Sequence, residues 1–185
     1  MNVLVACEFS GKVREAFIAA GHNAVSCDLV DSWQPGPHIR DDVLHHLSEG
    51  WDMMIAFPPC TYLCLSGRKY WWNSEEQGEA LEFVDSLMQA PIPKIAIENP
   101  IGAISTYIKK PTQIIQPWQF GHGEVKRTCL WLKNLPKLQP TNIVSGRHAR
   151  NHNMSDSWHR AAERSITYDG IAQAMANQWG CQMHC

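Results

Sequence analysis

The sequence predicts an α/β fold built on a doubly wound, mostly parallel sheet in a single domain. Short apolar runs that suit buried strands alternate, as far as Pro100, with segments whose apolar residues recur at helical spacing. That alternation is typical of parallel strands connected by helices on both faces of the sheet. The chain has 185 residues, of which 44% are hydrophobic and 18% charged, so it is long enough for one substantial core.

The first strand is predicted at residues 2–7, and it leads into the turn Glu8-Phe9-Ser10-Gly11. Apolar residues at helical spacing predict a helix over 12–20, and a second strand over 22–28 ends in Asp28. A strand, a glycine-containing turn, a helix and a strand with a terminal carboxylate form the Rossmann-like plan for binding an adenosine-containing cofactor. The single glycine does not make the GxGxxG fingerprint, so this pattern alone does not identify the cofactor.

The later elements follow with less regular spacing. We predict, in order, a loop over 29–40, a short helix over 43–49, a strand over 51–57, a loop above the site over 61–73, a helix over 75–89 and a strand over 94–100. Beyond Pro100 the pattern loosens, and we predict a strand over 128–133, an irregular segment over 134–165 and a closing helix over 170–179.

Two of these strands end in side chains suited to catalysis. Pro58 and Pro59 cannot donate ladder hydrogen bonds, so the strand must end at Phe57, and Cys60 follows at the edge where open α/β sheets bind ligands. Glu98 precedes Asn99-Pro100 at the end of another strand. A thiol beside a carboxylic acid suits a nucleophile with its proton donor. The alternatives are a buried structural thiol and an ordinary ion-pair partner.

Several segments together resemble the cytosine-C5 DNA methyltransferase family, in that family's order. They are Phe9-Ser10-Gly11, Asp28, Asp42, Phe57-Pro58-Pro59-Cys60 and Glu98-Asn99-Pro100. The resemblance covers residues 1 to about 133 and, loosely, the closing helix. The sequence is similar in particular to short phage-type methylase-like proteins without a full target-recognition domain. It implies the S-adenosylmethionine-dependent methyltransferase fold, with residues 1–133 as the catalytic core and 166–185 completing it.

The resemblance also implies a role for each matching residue. Cys60 as thiolate would attack C6 of the pyrimidine, Glu98 as a neutral acid would donate to N3, and Asn99 would help hold Glu98. S-adenosylmethionine would meet Phe9 and Gly11 at its methionine end, Asp28 at its ribose and Asp42 at its adenine amine, and Pro59 would line the boundary between cofactor and base. The remaining residues assigned to the cofactor are Ser10, Leu29, Phe57 and Gly170.

The sequence departs from the family where it should bind cofactor and DNA. Lys12-Val13-Arg14 follow Gly11 in place of further glycines, and Lys126-Arg127-Thr128 replace an Arg-x-Arg pattern. Roughly 35 residues stand where the family has its recognition domain, too few for an independent domain. Arg147 and Arg150 in this segment are expected to contact phosphates. DNA is the expected partner, with weak or short sequence specificity and a second subunit as one source of base recognition.

Two other functions are consistent with the same residues. The chemistry could act on a free pyrimidine nucleotide or a single strand, which would explain the short recognition segment. Alternatively, the altered glycine loop could mark a catalytically degenerate module that binds DNA or a partner methylase. Arg68-Lys69-Tyr70 before Trp71-Trp72 fits either a stacking platform for nucleic acid or a lid that packs on the core.

The composition of the chain bears on its partners, its disulfides, its metal sites and its location in the cell. The net charge of −2 argues against a protein that coats nucleic acid by charge alone. The seven cysteines show no CxxC pair, so we expect no disulfide framework, and Cys7, Cys27 and Cys129 are predicted core residues. Cys181, His184 and Cys185 lack a partner pair with zinc-finger spacing, so no metal site is expected. Without a signal sequence or a transmembrane stretch, we expect a cytoplasmic protein.

Overall fold

The computed structural model describes residues 1–148 and 165–181, which contain one seven-stranded sheet with helices packed against it. The strands are β1 (Asn2–Ala6), β2 (Asn23–Asp28), β3 (His38–Arg40), β4 (Met53–Ala56), β5 (Lys94–Pro100), β6 (Gln113–Ile115) and β7 (Thr128–Lys133). The helices are α1 (Lys12–Ala19), α2 (Arg68–Trp71), α3 (Glu75–Gln89), α4 (Ala103–Tyr107) and α5 (Asp169–Trp179). Short 3₁₀ turns cover Val43–His46, Leu65–Gly67 and Pro117–Gln119.

The strand order is β3-β2-β1-β4-β5-β7-β6. The first five strands pair in parallel, and β7 runs antiparallel to both β5 and β6. The predicted doubly wound, mostly parallel sheet is therefore confirmed. The first three strands are added toward one edge of the sheet, and β4 and β5 are added on the other side of β1. Ligands of such sheets bind outside the carboxyl ends of the strands near this switch point, here between β1 and β4.

Side chains alternate between the two faces of the central strands, so each face has its own core. Val3 and Val5 of β1 pack with buried residues of α1 and α5, whereas Leu4 packs with buried residues of α3 and α4. Central strands buried on both faces read as continuous apolar runs, and all four residues of β4 are fully buried. This burial explains why the sequence marks β1 and β4 so clearly.

The structure corrects the prediction for the less regular parts of the chain. Residues 29–40 are not all loop, because His38–Arg40 forms the edge strand β3. The helix predicted over 43–49 is only a 3₁₀ turn over Val43–His46. The short elements α2, α4 and β6 were not predicted, since three to five residues are too few to show a period. Cys27 and Cys129 are buried, but Cys7 is only partly buried.

Some sequence predictions fall outside the described residues, and two general features can be stated only within them. Half of the segment predicted as irregular, residues 149–164, lies in the undescribed ranges, together with His184 and Cys185. In residues 1–148 and 165–181, no helix is long and apolar enough to cross a membrane. Within the same ranges, no group of three His, Cys, Asp or Glu side chains is arranged to hold a metal ion.

Candidate functional site

The predicted nucleophile, Cys60, lies on the loop that leaves the carboxyl end of β4. The Phe57 N–H still donates to the Ala6 carbonyl at 2.9 Å, so sheet hydrogen bonding stops where the two prolines begin. Asn99, buried at the end of β5, donates from Nδ2 to the Pro58 carbonyl at 2.8 Å. Cys60 itself is exposed. In this structure Asn99 thus supports the loop that presents the thiol.

A close backbone approach holds the far side of the same loop. The Ala103 N–H donates to the Leu63 carbonyl at 2.7 Å, and the Cys64 N–H donates to the Cys60 carbonyl at 3.0 Å. A Cβ added to Gly102 would lie 1.8 Å from the Leu63 carbonyl oxygen, so only glycine allows this contact. The start of α4 therefore fixes the turn that carries Cys60.

Glu98, the predicted proton donor, lies on β5 beside residues at the start of β7. Its side chain is partly buried, and Thr128 is buried next to it. Burial raises the pKa of the Glu98 carboxyl, while the charge of Lys126 and a hydrogen bond from Thr128 act in the opposite direction. Because burial is the largest of these effects, Glu98 holds its proton more tightly than an ordinary glutamate.

Cys60 and Cys64 form an interacting pair of thiols. Although Cys60 is exposed as a residue, the pKa of its thiol is raised, chiefly by its hydrogen bond to Cys64 and then by the partial loss of water around the sulfur. The charge of Glu98 also raises the Cys60 pKa, and the charge of Lys126 lowers it. The pKa of Cys64 is lowered, chiefly by the hydrogen bond from Cys60. A protonated Glu98 carries no charge, so its protonation removes one effect that opposes a Cys60 thiolate.

The two acids expected to hold the cofactor lie together at the ends of β2 and β3. Asp28 accepts a backbone N–H two residues further on at 3.3 Å, and burial raises the pKa of its carboxyl. Leu29 next to it is 69% exposed. Asp42 caps the following 3₁₀ turn, accepting a backbone N–H at 3.0 Å. Burial is the largest cause of the raised pKa of the Cys7 thiol, and the charges of Asp28 and Asp42 raise it further. Both acids therefore lie near Cys7, at the same edge of the sheet.

The turn after β1 contains a site residue that sequence reasoning missed. Glu8 accepts hydrogen bonds at Oε1 from the Ser10 hydroxyl (2.8 Å) and the Val13 N–H (3.0 Å). Its Oε2 is buried and has no partner among residues 1–148 and 165–181. Beside it lies a small cavity lined by Cys7, Glu8, Phe9, Ser10, Phe57 and Ser165. Burial raises the pKa of the Glu8 carboxyl, and a cation beside it would favour the carboxylate. A buried carboxyl oxygen beside two aromatic rings therefore fits a cationic ligand, and S-adenosylmethionine is one.

The residues that replace the family's glycines have structural contacts. The Lys12 ammonium pairs with Asp169 of α5 at 2.6 Å. Arg14 is fully buried on α1, and its guanidinium pairs with Glu15 and anchors the loop after β2. Its acceptors in β2 and that loop are Ser26 Oγ, Ser32 Oγ and the carbonyls of Gln34 and Pro35, at 2.9–3.0 Å. This turn is therefore held by side chains rather than left as an open glycine loop.

Gly170, the last residue assigned to the cofactor, lies at the start of α5. Its N–H donates to Nε2 of His122 at 3.0 Å. A Cβ at this position would lie 1.9 Å from the Phe120 carbonyl oxygen. Backbone packing alone therefore accounts for glycine at this position, and the cofactor contact remains a prediction.

The basic residues predicted to meet nucleic acid differ in their surroundings. Lys126 lies close enough to the thiol and the carboxyl of the site to affect the pKa of both. Arg127 beside it is exposed. Arg147 stacks over the Trp118 ring, 4.0 Å from its centre, and donates to carbonyls of its own loop. Arg150 lies outside the described residues. The structure thus leaves Arg127 more available to a partner than Arg147.

The segment around Trp71 and Trp72 has features both of a lid that packs on the core and of a stacking platform for nucleic acid. Trp71 is buried, as a lid packed on the core requires, whereas Tyr70 is 79% exposed. The Arg68 guanidinium lies 4.0 Å from the centre of the Trp72 ring. An open depression of about 580 Å³ runs along this segment, lined by Leu65, Ser66, Arg68, Lys69, Tyr70 and Trp72. One face of α2 therefore packs inward, and the other presents cations and a tyrosine next to the Cys60 loop.

Comparison with known proteins supports the fold at low sequence identity. No family model matches the chain, and no curated protein matches it. A solved structure described as a DNA modification methyltransferase encoded within a prophage (E. coli) is 13% identical, with a TM-score of 0.50 over 78% of this chain. S. pombe Dnmt2 methyltransferase (14% identity, TM-score 0.49) covers 74% of this chain and 50% of its own, and a Spodoptera frugiperda DNMT2 mutant (13%, 0.46) covers 84% and 60%.

The seven-stranded sheet is thus a fold of the methyltransferase type. The chain spans about half the length of the prophage-encoded structure, 52% of which it covers. At this identity the likeness shows the fold alone, so the reaction has to be argued from the site.

Proposed function

We propose that this protein transfers a methyl group from S-adenosylmethionine to carbon 5 of cytosine in DNA. The observation that carries the proposal is that the Cys60 thiol lies close enough to the Glu98 carboxyl for the charge of Glu98 to raise its pKa, while burial raises the pKa of Glu98. Both groups lie where the ends of β4 and β5 meet, and Asn99 joins those ends. This is the edge at which sheets of this type bind their ligands. A nucleophile and a neutral acid at this edge match the needs of pyrimidine C5 chemistry.

Cys60 acts as the nucleophile toward carbon 6 of the ring. The raised pKa of Cys60 favours the thiol form, so the proton leaves sulfur for solvent as the S–C6 bond forms. Glu98, whose raised pKa favours the neutral acid, gives its proton to N3, and the ring electrons move toward carbon 5. The charge of Lys126 favours the carboxylate that remains on Glu98 and the thiolate form of Cys60. Attack and proton donation therefore assist each other.

The cofactor, when bound, supplies a methyl group attached to positively charged sulfur. Phe9, Ser10 and Phe57 form the wall of the small cavity next to the Cys60 loop, and Asp28 offers its carboxylate to the ribose hydroxyls. Carbon 5 accepts the methyl group and then loses its proton to solvent. The S–C6 bond breaks, Cys60 leaves as a thiolate that regains a proton from solvent, and the N3 proton returns to Glu98. The cycle releases one proton in total, together with the demethylated cofactor.

A cytosine within a duplex is out of reach of Cys60, so the base must be flipped out or already unpaired. Arg127 and Lys126, at the rim of the site, are suited to phosphates, which position a protein without reading sequence. The residues between β7 and α5 are too few for a separate recognition domain. We therefore expect methylation that ignores context or requires only a very short site.

The proposal is tested by incubating the protein with radiolabelled S-adenosylmethionine and, in parallel, duplex DNA, single-stranded DNA and dCMP. Cys60→Ser is the matched control, because it changes one atom and keeps the fold. We expect label on cytosine of DNA with the wild type and none with the variant. Label in none of the three substrates would instead favour a module that binds DNA or a partner without turnover.

A single-stranded substrate is the second candidate, and α2 favours it. Arg68, Lys69 and the exposed Tyr70 lie next to the Cys60 loop, and cations mixed with an exposed ring suit the backbone and bases of an unpaired strand. The same assay decides between the two. Faster labelling of the single strand than of the duplex supports this candidate.

A further inference from the structure

Glu8 occupies an unusual position directly after β1. Cys7 has a φ of 56°, in the left-handed region that residues with a side chain rarely adopt. Strain of this kind is found preferentially at functional sites. The strained residue is followed by Glu8, whose side chain is only 4% exposed. The chain therefore turns abruptly at the ligand-binding edge and buries an acid there.

Helix capping explains only one of the two carboxylate oxygens. Oε1 accepts from the Ser10 hydroxyl and the Val13 N–H, and so caps the start of α1. Oε2 is buried without a partner among the described residues, and buried polar atoms in proteins nearly always have one. Burial raises the pKa of the Glu8 carboxyl, so a side chain that is neutral at every pH could cap the helix at lower cost. The acid is thus not explained by the fold alone.

The cation nearest in the fold does not supply the missing partner. Arg14 lies on α1, but its guanidinium donates to Glu15, to two serine hydroxyls and to two carbonyls of the loop after β2. The cavity that Glu8 lines is otherwise bounded by Cys7, Phe9, Ser10, Phe57 and Ser165, none of which is a cation. Among the described residues no cation is placed to pair with Oε2, so the cavity is open to a positive group of a ligand.

We propose that Oε2 of Glu8 binds the α-ammonium group in the methionine part of the cofactor, while Oε1 continues to cap α1. The identity of the cofactor rests on the proposed function. An ammonium group has three N–H donors, so one can reach the unpaired oxygen. Because the Val13 N–H is already bonded to Glu8, the carboxylate of the cofactor is left to other donors. Glu8 thus positions the amino-acid end, and Asp28 lies at the opposite, adenosine end.

Glu8→Gln tests the proposal, because glutamine keeps an oxygen that can cap α1 but removes the charge. Calorimetry would compare S-adenosylhomocysteine, which has the amino-acid group, with 5′-methylthioadenosine, which lacks it. We expect the variant to bind S-adenosylhomocysteine about tenfold to a hundredfold more weakly than the wild type. Binding of 5′-methylthioadenosine should stay the same. Equal affinity of wild type and variant for S-adenosylhomocysteine would overturn the proposal.

A second measurement needs only the wild-type protein, and so decides the question even if the variant does not fold. The deamino analogue of S-adenosylhomocysteine retains the carboxylate and lacks the ammonium group. We expect it to bind about tenfold or more weakly than the parent compound. Equal binding of the two compounds would refute the role of Glu8 while leaving the cofactor site intact. Failure of the wild type to bind any adenosine ligand would instead overturn the proposed function, and this inference with it.

Discussion

At the scale of single residues, the protonation state of Glu98 affects the pKa of the neighbouring Cys60 thiol. Glu98 as a carboxylate raises the pKa of the Cys60 thiol, and as a neutral acid it does not. Burial raises the pKa of Glu98 itself, which favours the neutral acid, the form that does not raise the pKa of Cys60. Lys126 limits how far both shifts go. Glu98 and Lys126 therefore act on the Cys60 thiol in opposite directions.

The role of Cys60 predicts a specific loss in Cys60→Ser. Turnover should fall below detection, because a hydroxyl is a far weaker nucleophile, whereas binding of S-adenosylhomocysteine should stay close to wild type. DNA containing 5-fluorocytosine should trap a covalent adduct on the wild type, since fluorine does not leave as a proton does. The measurements are label transfer, calorimetry and denaturing gels. Wild-type activity in the variant would remove Cys60 from the mechanism.

The raised pKa of Glu98 predicts a pH-dependent difference in stability. A carboxyl whose pKa is raised by folding contributes stability that is present below its unfolded pKa and lost as pH rises through its folded pKa. Glu98→Gln stays neutral and avoids that loss. The variant should therefore unfold at a higher temperature than wild type above about pH 7, and the difference should shrink toward about pH 4. Thermal unfolding across pH checks this, and a difference independent of pH would contradict it.

At the scale of elements, the contact between α4 and the Cys60 loop requires a glycine, which has no side chain, at position 102. Gly102→Ala puts a Cβ against the Leu63 carbonyl, which must move, so we expect a loss of about 1–3 kcal/mol in the free energy of unfolding. Gly78→Ala is the matched control, because Gly78 lies in α3 with nothing within 4 Å of its added Cβ. It should gain about 0.5–1 kcal/mol from helix propensity. Urea denaturation measures both changes.

The same elements show how far the sequence predicts structure. The ends of β4 and β5 were predictable, because prolines cannot continue a ladder and apolar runs mark buried strands. The edge strands β3 and β6 were not, since three residues at the sheet edge show no alternation. Glu8 gave only a weak signal, an acid at a strand end. Whether such an acid is buried depends on the backbone at Cys7, which no local pattern specifies.

Asp42 shows a second limit of the sequence. Its position before a turn fits both a helix cap and a cofactor ligand, and the structure gives it the capping bond. Capping uses one carboxylate oxygen, so it leaves the predicted contact with adenine possible. The sequence could place the residue but could not assign its contacts. Those contacts depend on the geometry of the 3₁₀ turn that replaced the predicted helix.

At the scale of the whole molecule, the sheet order separates Arg127 from Arg40. Arg127 precedes β7, which lies next to the outermost strand β6, whereas β3 with Arg40 forms the opposite edge of the sheet. Arg127→Ala should weaken binding to all DNA sequences about equally and lower the salt slope by about 1, because it removes one phosphate contact. Arg40→Ala is the control and should change neither quantity. Binding titrations at several salt concentrations test this, and loss of preference for one sequence would indicate base reading instead.

The hydrogen-bonded turn that places Cys64 one turn after Cys60 has a further consequence for how the protein responds to oxidants. Residues four apart on such a turn have Cα atoms about 6 Å apart, within the range that a disulfide spans. Hydrogen peroxide should take one hydrogen from each thiol, form an S–S bond and be reduced to water. Peptide mass analysis after non-reducing digestion should then show Cys60 joined to Cys64, with activity restored by dithiothreitol. Cys64→Ser should instead leave Cys60 open to irreversible oxidation, so the second thiol would preserve the nucleophile in a recoverable form.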